Sequence, residues 1–174
     1  MSAEDHVDTI VGQWAAERPD LDSSPLHVIG RLSRLADRAD ELLRPVFAEH
    51  GLGDGDFDVL ATLRRDGTPY ELTPSELGDR TMVTSGAVSK RLDRLERLGL
   101  VERRVDEADA RGRRVRLTTE GIALMDDAYP AHLANEARIM AGLSGRERAD
   151  LVRLLRRLAD SFDAAAGTGA DMRP

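Results

Sequence analysis

The chain has 174 residues and no cysteine, with 41% hydrophobic, 33% charged and only 3% aromatic residues. Such a composition predicts one helix-rich globular domain with a real core, and it excludes disulfides, thiolate metal sites and thiol redox sensing. The net charge of −7 does not exclude a nucleic-acid partner, because residues 80–116 carry 11 Lys+Arg against 6 Asp+Glu while residues 1–79 carry 7 against 17, and local potential governs contact with phosphates.

No apolar run approaches the ~18 residues of a membrane span, and the acidic start MSAEDHVD is unlike a signal peptide. The expectation is a cytoplasmic protein without a membrane partner. Residues 4–17 read as a short amphipathic helix carrying Val7, Ile10, Val11 and Trp14, stopped by Pro19, so residues 1–19 form an extra N-terminal element. After the linker RPDLDSSP, Ser24-Pro25 fits an N-cap followed by proline at the first helical position. A long helix follows, with Val28, Ile29, Leu32, Leu35, Leu42, Leu43 and Val46 at helical spacing and Pro45 perturbing its end. Gly51–Gly55 is a loop, and residues 55–66 make another helix.

Thr73-Pro74-Ser75-Glu76 is a capping box that starts a short helix ending near Arg80–Thr81. Thr84 or Ser85 caps the next, which runs to Leu98 with Gly99 at its end. Leu100–Val105 and Arg113–Thr118 alternate as two strands around the charged loop EADARG. A long helix beginning near Thr119 passes through Pro130, which should bend it. Ser144-x-x-Glu147 opens a last helix with Leu151, Leu154, Leu155, Leu158 and Phe162 on one face, and residues 167–174 are expected to be a disordered tail. The fold class is mainly α: a winged helix-turn-helix with its reading unit at 55–118, flanked by long terminal helices and carrying a small β-hairpin wing. Those flanking stripes exceed what the centre can cover, which favours a two-fold homodimer over an intramolecular bundle.

On the helix 84–98, Val88, Leu92, Leu95 and Leu98 cluster on one side, and Gly86, Ser89, Lys90, Asp93, Arg94 and Arg97 on the other. A solvated polar face would explain the helix alone, but not the basic hairpin beside it. The predicted contacts with double-stranded DNA are Thr84, Ser85, Ser89, Lys90 and Arg94 in the major groove, with Arg111 and Arg113 on the wing, Arg111 reaching a minor groove. An enzyme is the first competing class. His6, His27, His50 and His132 stand at no metal or catalytic spacing, and no phosphate loop or nucleophile elbow is present, so no catalytic residue, metal or cofactor is expected. A protein-interaction module built on the same fold is the second.

The helix-turn-helix at 73–98, the Asp109-x-Arg111 wing followed by Arg116-Leu117-Thr118, and the flanking helices resemble the MarR family of bacterial transcriptional regulators over residues 25–166. The resemblance implies a homodimer on a palindromic operator, usually a repressor released by a small ligand. Asp58 and Arg65 share a helix face, Arg91 lies on the core side of the recognition helix, Arg103 opens the wing, and Trp14 is the only tryptophan. This set is similar to the urate-responsive, PecS-like branch of the family. It implies an anionic purine such as urate held by Trp14 and Arg103, repelling Asp58 and shifting the recognition helix through Arg65 and Arg91. Trp14 as a packing residue, the charged set as a structural network, and another effector such as a citrate-like carboxylate or an aromatic anion remain open.

Overall fold

The computed structural model describes residues 4–82, 85–105 and 112–170, with backbone only at 85–87 and 168–170. Among these, seven α-helices and three strands follow in the order α1 (His6–Glu17), α2 (Leu26–Glu49), α3 (Asp54–Arg65), β1 (Glu71–Leu72), α4 (Pro74–Arg80), α5 (Ser85–Arg97), β2 (Val101–Val105), β3 (Arg113–Leu117), α6 (Thr119–Ile139) and α7 (Gly145–Ala170). The chain divides into two units, residues 1–132 and 133–174.

In the first unit, α3, α4 and α5 bury one stripe each against the sheet and the start of α6. Val59, Leu60 and Leu63 of α3 meet Leu77, Val88, Leu92 and Leu95, with Leu72, Val101, Val115, Leu117 and Met125 closing the core. Burying a side chain of this size contributes about 1.5–3 kcal/mol, so this cluster fixes which faces of the three helices turn inward. Leu98 departs from the expected core face: α5 ends at Arg97, and Leu98 is 49% exposed where the chain turns into Gly99, whose φ is +71°. The left-handed turn required there is one that glycine adopts without steric cost.

Thr73 caps α4 as the sequence predicts: its Oγ1 accepts from the Glu76 amide at 3.2 Å, and Glu76 returns a 2.8 Å contact to the Thr73 amide. The sheet is antiparallel in the order β1-β3-β2, with Leu72 opposite Val115 and Val101 opposite Leu117. The two-residue β1 was not anticipated; Arg114 Nε donates to Glu71 Oε1 at 2.6 Å across that pairing. Pro45 lies within α2 and Pro130 within α6, both of which continue as helices.

The extra helix α1 is docked on α2 by charge. Arg31 donates from Nε to Asp5 at 2.9 Å and from Nη2 to Asp8 at 2.7 Å, while buried Val7 lies against Gly30. In the second unit α7 starts on the predicted Ser144–Glu147 box and runs on to Ala170, past Gly167 where the tail was expected to begin. Residues 171–174 lie outside the described residues.

The Asp5 and Asp8 carboxyls are held below the ordinary 3.8, Asp5 chiefly by the Asp8 backbone amide and Asp8 chiefly by the Arg31 hydrogen bond. Since the folded values lie below the unfolded ones, their support for α1 is complete above about pH 4 and is lost as pH falls through the depressed values. The fluorescence of Trp14 on α1 should therefore be steady from neutrality down to about pH 5 and change below about pH 4. Arg31→Ala should show the altered emission already at neutral pH.

Candidate nucleic-acid interface

The second helix of the helix-turn-helix, α5, turns Val88, Leu92 and Leu95 inward. Its outer face carries Ser89, Lys90, Asp93, Arg94 and Arg97, all exposed. Spacing at 100° per residue dictates both faces. Of the predicted DNA contacts, Ser89 and Lys90 are exposed on this face and Arg113 is exposed on β3. Ser85 begins the α5 backbone. Thr84, Asp109 and Arg111 lie outside the described residues.

Helix α3 grips both ends of the reading element. Asp58 Oδ2 accepts from the Met82 backbone amide at 2.6 Å, and Arg65 Nη2 donates to the Arg80 carbonyl. These two side chains therefore act on the turn between α4 and α5 through its main chain. Arg80 itself pairs with Asp66. Farther along α5, the Arg91 guanidinium lies where a Cβ on Gly55 would be, so glycine is the residue that leaves room for it. Arg91 Nε is buried there without a hydrogen-bond partner among the described residues. Arg94 reaches past it to Asp56, Nε to Oδ2 at 2.8 Å, and its Nη2 donates to the Gly51 carbonyl at 3.2 Å. Leu52, Gly53, Asp56, Lys90, Arg91 and Arg94 together line a notch of about 530 Å³.

The wing is tied to the same helix. Arg103 on β2 donates from Nη2 to Asp93 at 2.6 Å and from Nη1 to Glu96 at 2.7 Å. The Asp93 hydrogen bond raises the guanidinium above its ordinary value, so Arg103 is a fixed cation engaged by two carboxylates of α5. These pairs are one-third to two-thirds exposed, so they orient the hairpin more than they stabilise the fold.

The five residues expected to form an effector site are distributed over several places. Trp14 is 50% exposed and lines a cavity of about 310 Å³ with Arg18, Leu21, Ser23, Pro25 and Leu26. Asp58 faces the helix-turn-helix turn, Arg91 covers Gly55, and Arg103 is engaged with α5. Arg65 also lines a cavity of about 380 Å³ between α3 and the first half of α6, with Ala61, Arg64, Met125, Asp126 and Tyr129. Asp56 and Gly55 were missed from the sequence. The Gly53-x-x-Asp56 spacing at the start of α3 is a capping signal that could have located Asp56; nothing local identifies its partner thirty-eight residues away.

The model of the MarR family matches residues 50–112, from the end of α2 into the wing. The HTH-type transcriptional regulator PecS of Dickeya dadantii is 42% identical over 152 residues, covering 87% of this chain and 92% of that one. A mutant MarR from E. coli solved in complex with operator DNA is 28% identical with a TM-score of 0.67, covering 83% of this chain and 96% of its own. Bordetella bronchiseptica BpsR, whose DNA binding is regulated by 6-hydroxynicotinic acid, is 26% identical with a TM-score of 0.68, covering 76% and 98%.

The grip of Asp58 on the turn gives a direct prediction. Asp58→Ala should lower stability by about 1 kcal/mol, the usual worth of one such hydrogen bond, and should speed hydrogen exchange at the Met82 amide. Unchanged exchange at Met82 would mean that the turn is held by something else.

Proposed function

We propose that this chain, which belongs to the MarR family, is a repressor that binds a palindromic operator as a homodimer and is released by a small anionic ligand, urate or a related purine. That it is a DNA-binding transcriptional regulator follows from the family; the dimer, the repression and the ligand are our reading. One observation carries it: α3 holds the reading element by the main chain of its turn, through Asp58 to Met82 and Arg65 to Arg80. A change at α3 is thereby passed to the helix that would enter the major groove. A ligand acts through such a device only by its different affinity for the two helix positions, typically worth about 1–3 kcal/mol.

The apolar faces support a dimer. Val28, Ile29 and Leu35 on α2 are exposed, and in the second unit Leu151, Val152, Leu154, Leu155 and Phe162 are exposed along α7. Stripes of that length on ordered helices are the kind of surface a second copy covers. For the wing, exposed Arg113 beside the loop supports a phosphate-seeking role, with Arg111 of that loop entering the minor groove.

The resemblance of Trp14, Asp58, Arg65, Arg91 and Arg103 to the urate-responsive branch supports urate as the effector. An anion beside Asp58 would repel it from the Met82 amide and loosen the turn. A second reading has an observation of its own. The Arg65 cavity combines the cations Arg64 and Arg65 with the half-exposed ring of Tyr129 and apolar Met125, which suits an aromatic acid. BpsR, regulated by 6-hydroxynicotinic acid, lends that reading weight.

Footprinting on the DNA flanking its own gene, with urate and with 6-hydroxynicotinic acid, tests both. Protection of two symmetric half-sites that urate abolishes is the expected result; release by the aromatic acid alone would favour the second reading. Arg111→Ala should weaken duplex binding while the protein still sediments as a dimer. Unchanged affinity in a gel shift would remove the wing from the interface.

A further inference from the structure

The capping acids of this chain are not all used alike. Asp8, Glu76 and Glu147 each accept the N-cap amide of their helix, at 3.0, 2.8 and 2.8 Å, and remain partly or fully exposed. Asp56 makes the same contact to the Gly53 amide at 2.9 Å, yet its side chain is only 3% exposed. Capping does not require burial, and a buried carboxylate is costly unless its charge is met. Arg94 meets it from α5, through Nε on Oδ2. The other carboxylate oxygen, Oδ1, is buried with no hydrogen bond among the described residues.

Arg94 is meanwhile half exposed, and its Nη1 end has no partner among the described residues. Its Nε edge is engaged by Asp56 and Gly51, which leaves the Nη1 end unengaged, and Lys90 lines the same notch. An arginine so anchored cannot extend into a groove to read a base, but it can meet a phosphate that lies against the surface. Being fixed beforehand, it gives up little rotamer freedom on binding.

We propose that Asp56 is a positioning residue for duplex binding: it holds Arg94 by its Nε edge so that the Nη1 end clamps a backbone phosphate at the notch shared with Lys90. This rests on the reading of α5 as the helix that contacts the duplex. The sign of the effect separates positioning from simple electrostatics. Removing a negative charge near DNA should tighten binding; removing the anchor of Arg94 should weaken it.

The test is a double-mutant cycle read by fluorescence anisotropy on the footprinted duplex across a salt series. Asp56→Asn keeps the volume and an acceptor at the Oδ2 position but removes the charge that holds Arg94, and should weaken binding about fivefold, the scale of exchanging a charge-assisted hydrogen bond for a neutral one. Arg94→Ala should weaken it and reduce the dependence of log affinity on log salt by about one, for one phosphate released. In the Arg94→Ala background Asp56→Asn should change nothing further, which a merely structural role would not produce. Arg94→Lys keeps the charge but lacks the fork that spans Asp56 and Gly51, so it should resemble Asp56→Asn even if that variant folds poorly. Equal or tighter binding by Asp56→Asn, an Arg94→Lys protein that binds like the wild type, or an Asp56→Asn loss that persists without Arg94 overturns the proposal. A wild-type protein that binds no duplex overturns both this inference and the reading beneath it.

Discussion

The position of the reading helix depends on one turn of α3. Gly55 leaves the space that the Arg91 guanidinium occupies, Asp56 receives Arg94, and Asp58 receives the Met82 amide in the turn before α5. Beneath these contacts Leu60 and Leu63 pack with Leu92 and Leu95 in the core. Apolar burial supplies most of the adhesion but has no direction, so it tolerates sliding of one helix along another. Directional contacts with charged groups set the position, and two of them, at Asp56 and Asp58, fall within one turn of α3 beside the space left by Gly55.

That division of labour suits a protein whose DNA affinity is to be adjusted. Changing a polar contact alters where α5 sits without emptying the core. Arg103 then extends the same constraint to the hairpin, since it is engaged by Asp93 and Glu96 on α5. Helix and wing are therefore steered together from α3. The Arg65 cavity lies between α3 and the first half of α6, where a bound anion would act on the element that holds the turn.

Much of this was legible in the sequence because its cues are local. Thr73-Pro74-Ser75-Glu76 set the start of α4, Gly99 the end of α5, and Ser144 with Glu147 the start of α7. The alternation in 101–105 and 113–117 gave the hairpin. Two-residue β1 carries no periodic signal, and Gly167 did not end α7, since one glycine costs a helix only about 1 kcal/mol. The candidate site was legible as a set of residues but not as a set of contacts. Asp58 and Arg65 do share a face, but their partners are the backbone of Met82 and Arg80, which no side-chain pattern announces. Arg94 reads as a groove residue in the sequence because its partner Asp56 lies thirty-eight positions away.

The most direct measurement is the duplex affinity of Gly55→Ala beside its unfolding free energy. A Cβ at position 55 would fall on the flexible end of the Arg91 side chain, not on backbone, so Arg91 can be displaced while the core stays intact. If the first turn of α3 sets the reading helix, affinity should fall by about tenfold, a cost of 1.4 kcal/mol, with the denaturation midpoint little changed. Wild-type affinity in a folded Gly55→Ala protein would contradict the account.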